Sequence, residues 1–250
     1  MGTVVSFSLH APGLDPEKLW TAVAEARAVL HNADAVFSTW KRNSPLNQLR
    51  RGEIGLERCP PEVGEVLLLG AWVREQSEGW FDPWALPGGV DPTGLVKGWA
   101  AARALDVLRG AGVPAVMLSA GGDLATWGNP DDDPARAWRI GIAHPWRADG
   151  LAGVVELRGA SAVCTSGTYE RGAHLLDPTT REPARRTVSA TVTGPDLALA
   201  DALATAVAVG GDRALPAVER LGGYEAWLIR PDGSTASTAG WQFAPARAAA

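Results

Sequence analysis

Asp201 is a lone carboxylate in an apolar run, Leu197-Ala-Leu-Ala-Asp201-Ala-Leu-Ala-Thr205-Ala-Val-Ala-Val. At helical spacing Asp201 and Thr205 are i and i+4 and share one face. Burying that carboxylate is costly unless something neutralises it. A hard cation would do so, since carboxylate, hydroxyl and carbonyl oxygens make a Mg²⁺-type ligand set. A salt bridge to an arginine elsewhere would serve as well. A second segment, Asp91-Pro-Thr-Gly-Leu-Val-Lys97-Gly98, reads as a loop entering a helix. Helix-start amides attract phosphate, and a lysine one turn in adds a point charge. The plainer reading is an N-capping Asp91 with a solvated Lys97. A third segment crowds Thr165-Ser-Gly-Thr-Tyr-Glu-Arg171 against His174-Leu-Leu-Asp-Pro178. A histidine in that company suits general-base work, with an unperturbed pKa near 6.5. A strand edge followed by a turn accounts for the same residues.

These segments need elements to hold them. Apolar spacing predicts a strand over Thr3–Ala11 and a helix over Asp15–Phe37 opened by Asp-Pro. A second helix starts at Pro60-Pro61 and stops near Gly79, and a third spans Gly94–Leu108. Between them, Trp80–Asp91 is too rich in proline and glycine to be helical. The second half turns to strands at Ala115–Ala120, Trp138–Ala143, Gly153–Arg158, Ser161–Thr165 and Thr187–Thr193. Helices at Leu197–Val209 and Arg213–Leu221 follow, then a hairpin of Glu225–Ile229 and Thr235–Phe243 turning on Pro231-Asp232-Gly233. SAGGD at 119–123 marks a close approach of backbone to something, or simply a tight turn. Trp72, Trp99, Trp138 and Trp227 fall in these elements and read as core, while Trp40, Trp80 and Trp84 lie near the chemistry-bearing segments. Residues 1–250 form one α+β domain, compact or two-lobed, with mixed or antiparallel sheets flanked by helices and an Ala-rich tail at 244–250.

Composition narrows the function. The 250 residues are 46% hydrophobic and 20% charged, which are globular values, and the net charge of −5 argues against nucleic acid as a partner. No apolar run reaches the roughly 18 residues of a membrane span. MGTVVSFSLHAPG lacks the basic, apolar and small-residue regions of a signal peptide, so the expected location is cytoplasmic. Cys59 and Cys164 form neither a metal-ligand spacing nor a disulfide framework. There is no GxxxxGK[ST], GxGxxG, HExxH or GxSxG segment.

Taken in order, eight stretches resemble the ApbE family, the FAD:protein FMN transferases. They are MGT (1–3), STW with a following serine (38–44), GWFDP (79–83), DPTGLVKGWA (91–100), LSAGGDLATWG (118–128), TSGTYER (165–171), HLLDP (174–178) and ADALATA (200–206). The resemblance covers nearly the whole chain and implies the family's T-fold-like domain. It implies cleavage of the FAD pyrophosphate with Mg²⁺, transfer of FMN to a Ser or Thr of an acceptor protein, and release of AMP. Acceptors resemble D-x-x-[ST]-G-A-T. The implied FAD contacts are Met1, Trp40, Phe81, Asp82, Pro83, Asp91, Lys97 and Leu175. The implied metal ligands are the Gly94 carbonyl, Asp201 and Thr205. His174, Asp201 and Lys97 carry the implied catalysis, with His174 as the base. An FAD pyrophosphatase and a non-catalytic flavin-binding or flavin-delivery protein are the competing functions.

The chain departs from the family pattern at four places. Asp82 and Asp91 stand nine residues apart, where the family has several tens more. The family's asparagine after Ser44 falls on Arg50, DPTTG becomes DPTTR at Arg181, and the glycine before Gly94 is Thr93. The chain's own Asp232-Gly-Ser-Thr-Ala-Ser-Thr238 partly matches the acceptor pattern, and also reads as the closing hairpin.

Overall fold

The computed structural model describes residues 3–85, 87–168 and 175–245. The predicted residues Met1 and His174 lie outside that range, as does most of the Ala-rich tail. Nine strands and six α-helices are seen among the described residues, in the order β1 (Val5–His10), α1 (Pro16–Phe37), α2 (Pro45–Arg50), α3 (Pro61–Gln76), α4 (Thr93–Gly110), β2 (Ala115–Ala120), β3 (Asp123–Trp127), β4 (Trp138–Ala143), β5 (Leu151–Leu157), β6 (Ser161–Gly167), β7 (Ser189–Gly194), α5 (Leu197–Gly210), α6 (Leu215–Leu221), β8 (Glu225–Ile229) and β9 (Thr235–Ser237). Seven strands form one antiparallel sheet in the order β1-β2-β3-β6-β7-β8-β9, and β4 and β5 pair as a separate hairpin.

One face of the large sheet carries the helices. α5 lies on β6 and β7, α4 packs on α5, and α1 packs on α4. This burial explains the composition of α5: every residue but Leu199 and Thr205 is buried, and apart from Asp201 and Thr205 the helix is apolar and built largely from small side chains. Its start is fixed by Asp196, whose carboxylate accepts from Leu199 N at 2.9 Å. The other face carries the β4–β5 hairpin, through a smaller cluster of Ile140, Ile142, Val155 and Leu157 with Val163, Trp227 and Ile229 of the sheet. The two layers share one sheet, so the two-lobed alternative gives way to a single compact body.

Several expectations need correction. Asp123–Trp127 is a strand, because Gly121 and Gly122 both adopt positive φ (60° and 94°) and close a two-residue hairpin with β2. α2 is an additional helix, capped by the Ser44 hydroxyl accepting from Asn47 N at 3.2 Å and opened by Pro45. The last strand ends at Ser237, and Thr238 is buried beyond it, bonded to Glu225 and to both backbone groups of Ala226. Its hydroxyl is built into the fold rather than presented as an acceptor. Trp72 is 41% exposed, against the expectation of a core residue, while Trp99 (6%) and Trp227 (7%) are core.

Candidate active site

Helices α4 and α5 touch where Gly98 meets the start of α5. A Cβ on Gly98 would stand 2.5 Å from the Leu197 carbonyl and 2.9 Å from Cβ of Asp201. Glycine is required by that approach, and the approach brings the two chemistry-bearing helices together. At their junction opens a cavity of about 390 Å³, within the range of roughly 300–1,000 Å³ common for small-molecule sites. Trp40, Phe81, Asp82, Pro83, Asp91 and Gly94 line it, and so do Lys97, Leu175, Asp201 and Thr205. Segments far apart along the chain therefore converge on one place.

Asp201 is 3% exposed and faces α4. Its Oδ2 accepts from Gly98 N at 2.9 Å, and its Oδ1 is 3.6 Å from Lys97 Nζ. In an α-helix Gly98 N–H belongs to the Gly94 carbonyl four residues back. Asp201 is a second acceptor for it. Thr205 sits one turn along α5, its Oγ1 3.4 Å from Ser166 Oγ on β6. A Cβ on Gly94 would come within 3.3 Å of the same Oγ1. Carboxylate, hydroxyl and backbone carbonyl oxygens are hard donors, a chemistry that fits a hard divalent cation. Among the described residues no group of three or more His, Cys, Asp or Glu offers an alternative metal centre.

Lys97 is not the solvated lysine of the plainer reading. Its ammonium contacts the Asp123 carboxylate, which is buried and also accepts from Thr165 N at 3.1 Å. Asp123 and Ser166 are site residues that spacing did not single out. Pro92 rather than Asp91 is the N-cap of α4, while Asp91 accepts from Thr93 N at 3.0 Å just before it and also lines the cavity. Asp82 is fixed from both sides, by Arg74 at 2.8 Å and Trp84 N at 2.8 Å. Trp40 lines the cavity yet is 93% exposed, so it stands at the mouth. Trp80 lines it too, whereas Trp84 does not. Cys164 lies beneath, its thiol pushed up by burial and by the nearby Asp201 charge, and so stays protonated.

The departures have local explanations. The short segment after Pro83 is closed by Asp91 N donating to Pro83 O at 2.8 Å. Arg50 holds it from outside, with Nε donating to Gly88 O at 3.1 Å and Nη1 3.8 Å from Asp91. Asp177 anchors the turn that follows Leu175 and Leu176. Burial opposes its charge, but bonds from Thr179 and the Arg186 guanidinium 3.0 Å away outweigh burial and hold the carboxyl below its ordinary value. That stabilisation is present above the unfolded-state pKa and is lost as pH falls through the folded-state one.

Arg181 closes the same turn at φ 60°. A non-glycine residue there costs about 1–2 kcal/mol, and glycine gives back about 0.5–1 kcal/mol in chain entropy. Arg181→Gly is expected to stabilise the protein by about 0.5–1 kcal/mol, read as a rise in thermal midpoint. A fall would show that the arginine side chain makes a compensating contact.

Comparisons with known proteins bear on the family and the fold. A sequence profile of the ApbE family matches residues 1–88 and 85–228. The FAD:protein FMN transferase of Rhodobacter capsulatus is 37% identical over 158 residues, covering 60% of this chain and 29% of that protein. The protein of the same name from Vibrio cholerae is 34% identical over 133 residues, covering 49% and 39%. The matched stretches thus span well under half the length of these curated relatives. Among solved structures, flavin transferase ApbE from Vibrio cholerae superposes with a TM-score of 0.80 at 22% identity, over 96% of this chain and 94% of that one. The ApbE protein of Thermotoga maritima gives 0.81 at 22% identity, over 95% and 94%. Cavity, fold and sequence profile together lead to one assignment: the chain belongs to the ApbE family.

Proposed function

We propose that the protein is an enzyme that transfers FMN from FAD to a Ser or Thr hydroxyl of an acceptor protein, using Mg²⁺ and releasing AMP. The observation that carries this reading is the convergence of Asp201, Thr205, Gly94 and Lys97 on one cavity walled by Phe81 and Trp40. The acceptor oxygen attacks the phosphorus on the FMN side of the pyrophosphate. The bridging P–O bond breaks, AMP leaves with the bridging oxygen, and the hydroxyl proton passes to a base. Asp201, Thr205 and the Gly94 carbonyl would hold Mg²⁺, which would supply positive charge against the negative charge developing on the phosphates. Lys97 adds an ammonium on the same side. Asp82, Pro83, Asp91 and Leu175 bound the space for the nucleotide, and Met1 and His174 join the site by family resemblance. The acceptor is a protein bearing a D-x-x-[ST]-G-A-T-like segment. Among the described residues no helix is long and apolar enough to cross a membrane.

His174 is the proposed base. His174→Ala is expected to slow transfer by about 10²–10⁴-fold, because a base acts in the transition state, while FAD affinity by flavin fluorescence is nearly unchanged. Parallel loss of both would make His174 a wall of the pocket instead.

One observation favours a second reading, an FAD pyrophosphatase. The segment between Pro83 and Asp91 is short and braced by Arg50, and a shorter segment than the family pattern's would let water reach the cavity more readily. Incubation with FAD and Mg²⁺, with and without an acceptor carrying the D-x-x-[ST]-G-A-T segment, separates the readings. AMP formed only with acceptor supports transfer, and AMP formed equally without it supports hydrolysis. No AMP under either condition leaves a flavin-binding protein and overturns the enzymatic reading.

A further inference from the structure

Two walls of the cavity are tied to one short helix, α2. The wall of Ser38, Thr39 and Trp40 is held at its start. Ser44 Oγ donates to Ser38 O at 2.6 Å, and the Asn47 amide donates to Ser38 O at 3.1 Å and to Lys41 O at 3.0 Å. Both side chains are buried, so this joint is fixed. The wall that runs from Asp82 to Asp91 is held at the other end of α2. Arg50, the last residue of the helix, donates from Nε to Gly88 O at 3.1 Å and places Nη1 3.8 Å from Asp91. Trp40 and Asp91 line the cavity, whereas Ser44, Asn47 and Arg50 do not.

The second wall needs such a tether. Its Asp82 end has anchors of its own, Arg74 and Trp84 N. Its tip contains Gly88 and Gly89, at φ 88° and 95°, and glycine backbone has little preference of its own to hold that shape. The tip lies along Arg50 instead. A Cβ on Gly88 would stand 3.2 Å from Nη2, and one on Gly89 3.4 Å from the Arg50 carbonyl. Two of the chain's departures from the family pattern, Arg50 and the short Pro83–Asp91 segment, are thus in contact.

Resting on the FAD-dependent transfer proposed above, we infer that Arg50 is a positioning residue for FAD, which from outside the cavity holds Asp91 at a fixed separation from Trp40 so that one nucleotide meets both. A guanidinium suits the task, because its rigid fork serves the Gly88 carbonyl and faces the Asp91 carboxylate at once. Walls fixed in advance spare the nucleotide the cost of ordering them. With Arg50 truncated, the tip leaves α2 for part of the time, and apparent affinity falls with the fraction of molecules still in the binding arrangement.

The test is FAD affinity by flavin fluorescence, in Mg²⁺ and without acceptor. The proteins compared are the unaltered chain, Arg50→Ala, Asp91→Ala and the double variant, each checked by thermal melting. Arg50→Ala is expected to weaken FAD roughly tenfold with the melting temperature little changed. In the Asp91→Ala background the same truncation is expected to cost less than about twofold, because the residue it positions is gone. A merely structural role would lower the melting temperature and weaken FAD equally in both backgrounds. Unchanged affinity in Arg50→Ala, or an equal loss with and without Asp91, overturns the inference. If Arg50→Ala does not fold, Gly88→Ala pushes the tip off the guanidinium instead and is held to the same comparison with and without Asp91. Absence of FAD binding by the unaltered chain overturns the FAD reading itself, and the inference with it.

Discussion

Asp201→Ala is expected to remove Mg²⁺-dependent AMP release while leaving the protein folded. The proposed cation site has one anionic ligand, and a metal's charge on a phosphoryl transition state is worth several kcal/mol, so the expected loss is on the order of 10³-fold or more. The fold should survive for local reasons. Alanine is the best helix former and suits the interior of α5. Gly98 N–H, freed from its 2.9 Å bond to Asp201, has the Gly94 carbonyl as its ordinary helical acceptor. Lys97 keeps Asp123. Circular dichroism and melting report the fold, and AMP formation across a Mg²⁺ series reports the site. Near-normal turnover at low Mg²⁺ would mean that the cation is held elsewhere.

Gly98→Ala is expected to damage both stability and activity, against the direction that helix propensity alone predicts. Alanine in place of glycine within a helix gains about 1 kcal/mol. Here the new methyl would meet backbone, the Leu197 carbonyl at 2.5 Å and Ala198 Cα at 3.0 Å, so no side chain can swing away to admit it. Overpacking of this kind costs typically about 1–3 kcal/mol, and contact with backbone places it at the upper end. The balance is a loss of about 2 kcal/mol, or a midpoint lowered by about 4–8 °C for a chain of this size. Separation of α4 from α5 also moves Lys97 and Gly94 relative to Asp201, so AMP release should fall even at temperatures where the variant is folded. A raised midpoint with full activity would show that the helices part without consequence.

Helical spacing made part of the site legible. Asp201 and Thr205 are one turn apart, and Gly94 and Lys97 lie in the first turns of α4, so each pair shares a face before any tertiary structure is known. Which two faces meet is a matter of packing, and there the informative residue is Gly98, whose role needs the partner helix. Asp123 and Ser166 lie in segments that stand out in the sequence, yet their individual places at the site were not legible for a different reason. Both stand on strands, and register between β3 and β6 is set by pairings that sequence spacing does not encode. The glycine pair at 121–122 was a readable hairpin signal for β3, and Ser44-Pro45 was a readable helix start for α2. Trp72 misled because a tryptophan on an apolar helix ordinarily faces inward, whereas on α3 it is left partly exposed.

The most direct test of the central claim is the intact mass of an acceptor protein bearing a D-x-x-[ST]-G-A-T segment after incubation with this protein, FAD and Mg²⁺. The expected result is a gain of one FMN less one water on the acceptor, lost when its last Thr is replaced by Val and absent when Asp201→Ala replaces the unaltered enzyme. An acceptor of unchanged mass under conditions where AMP is released would contradict it.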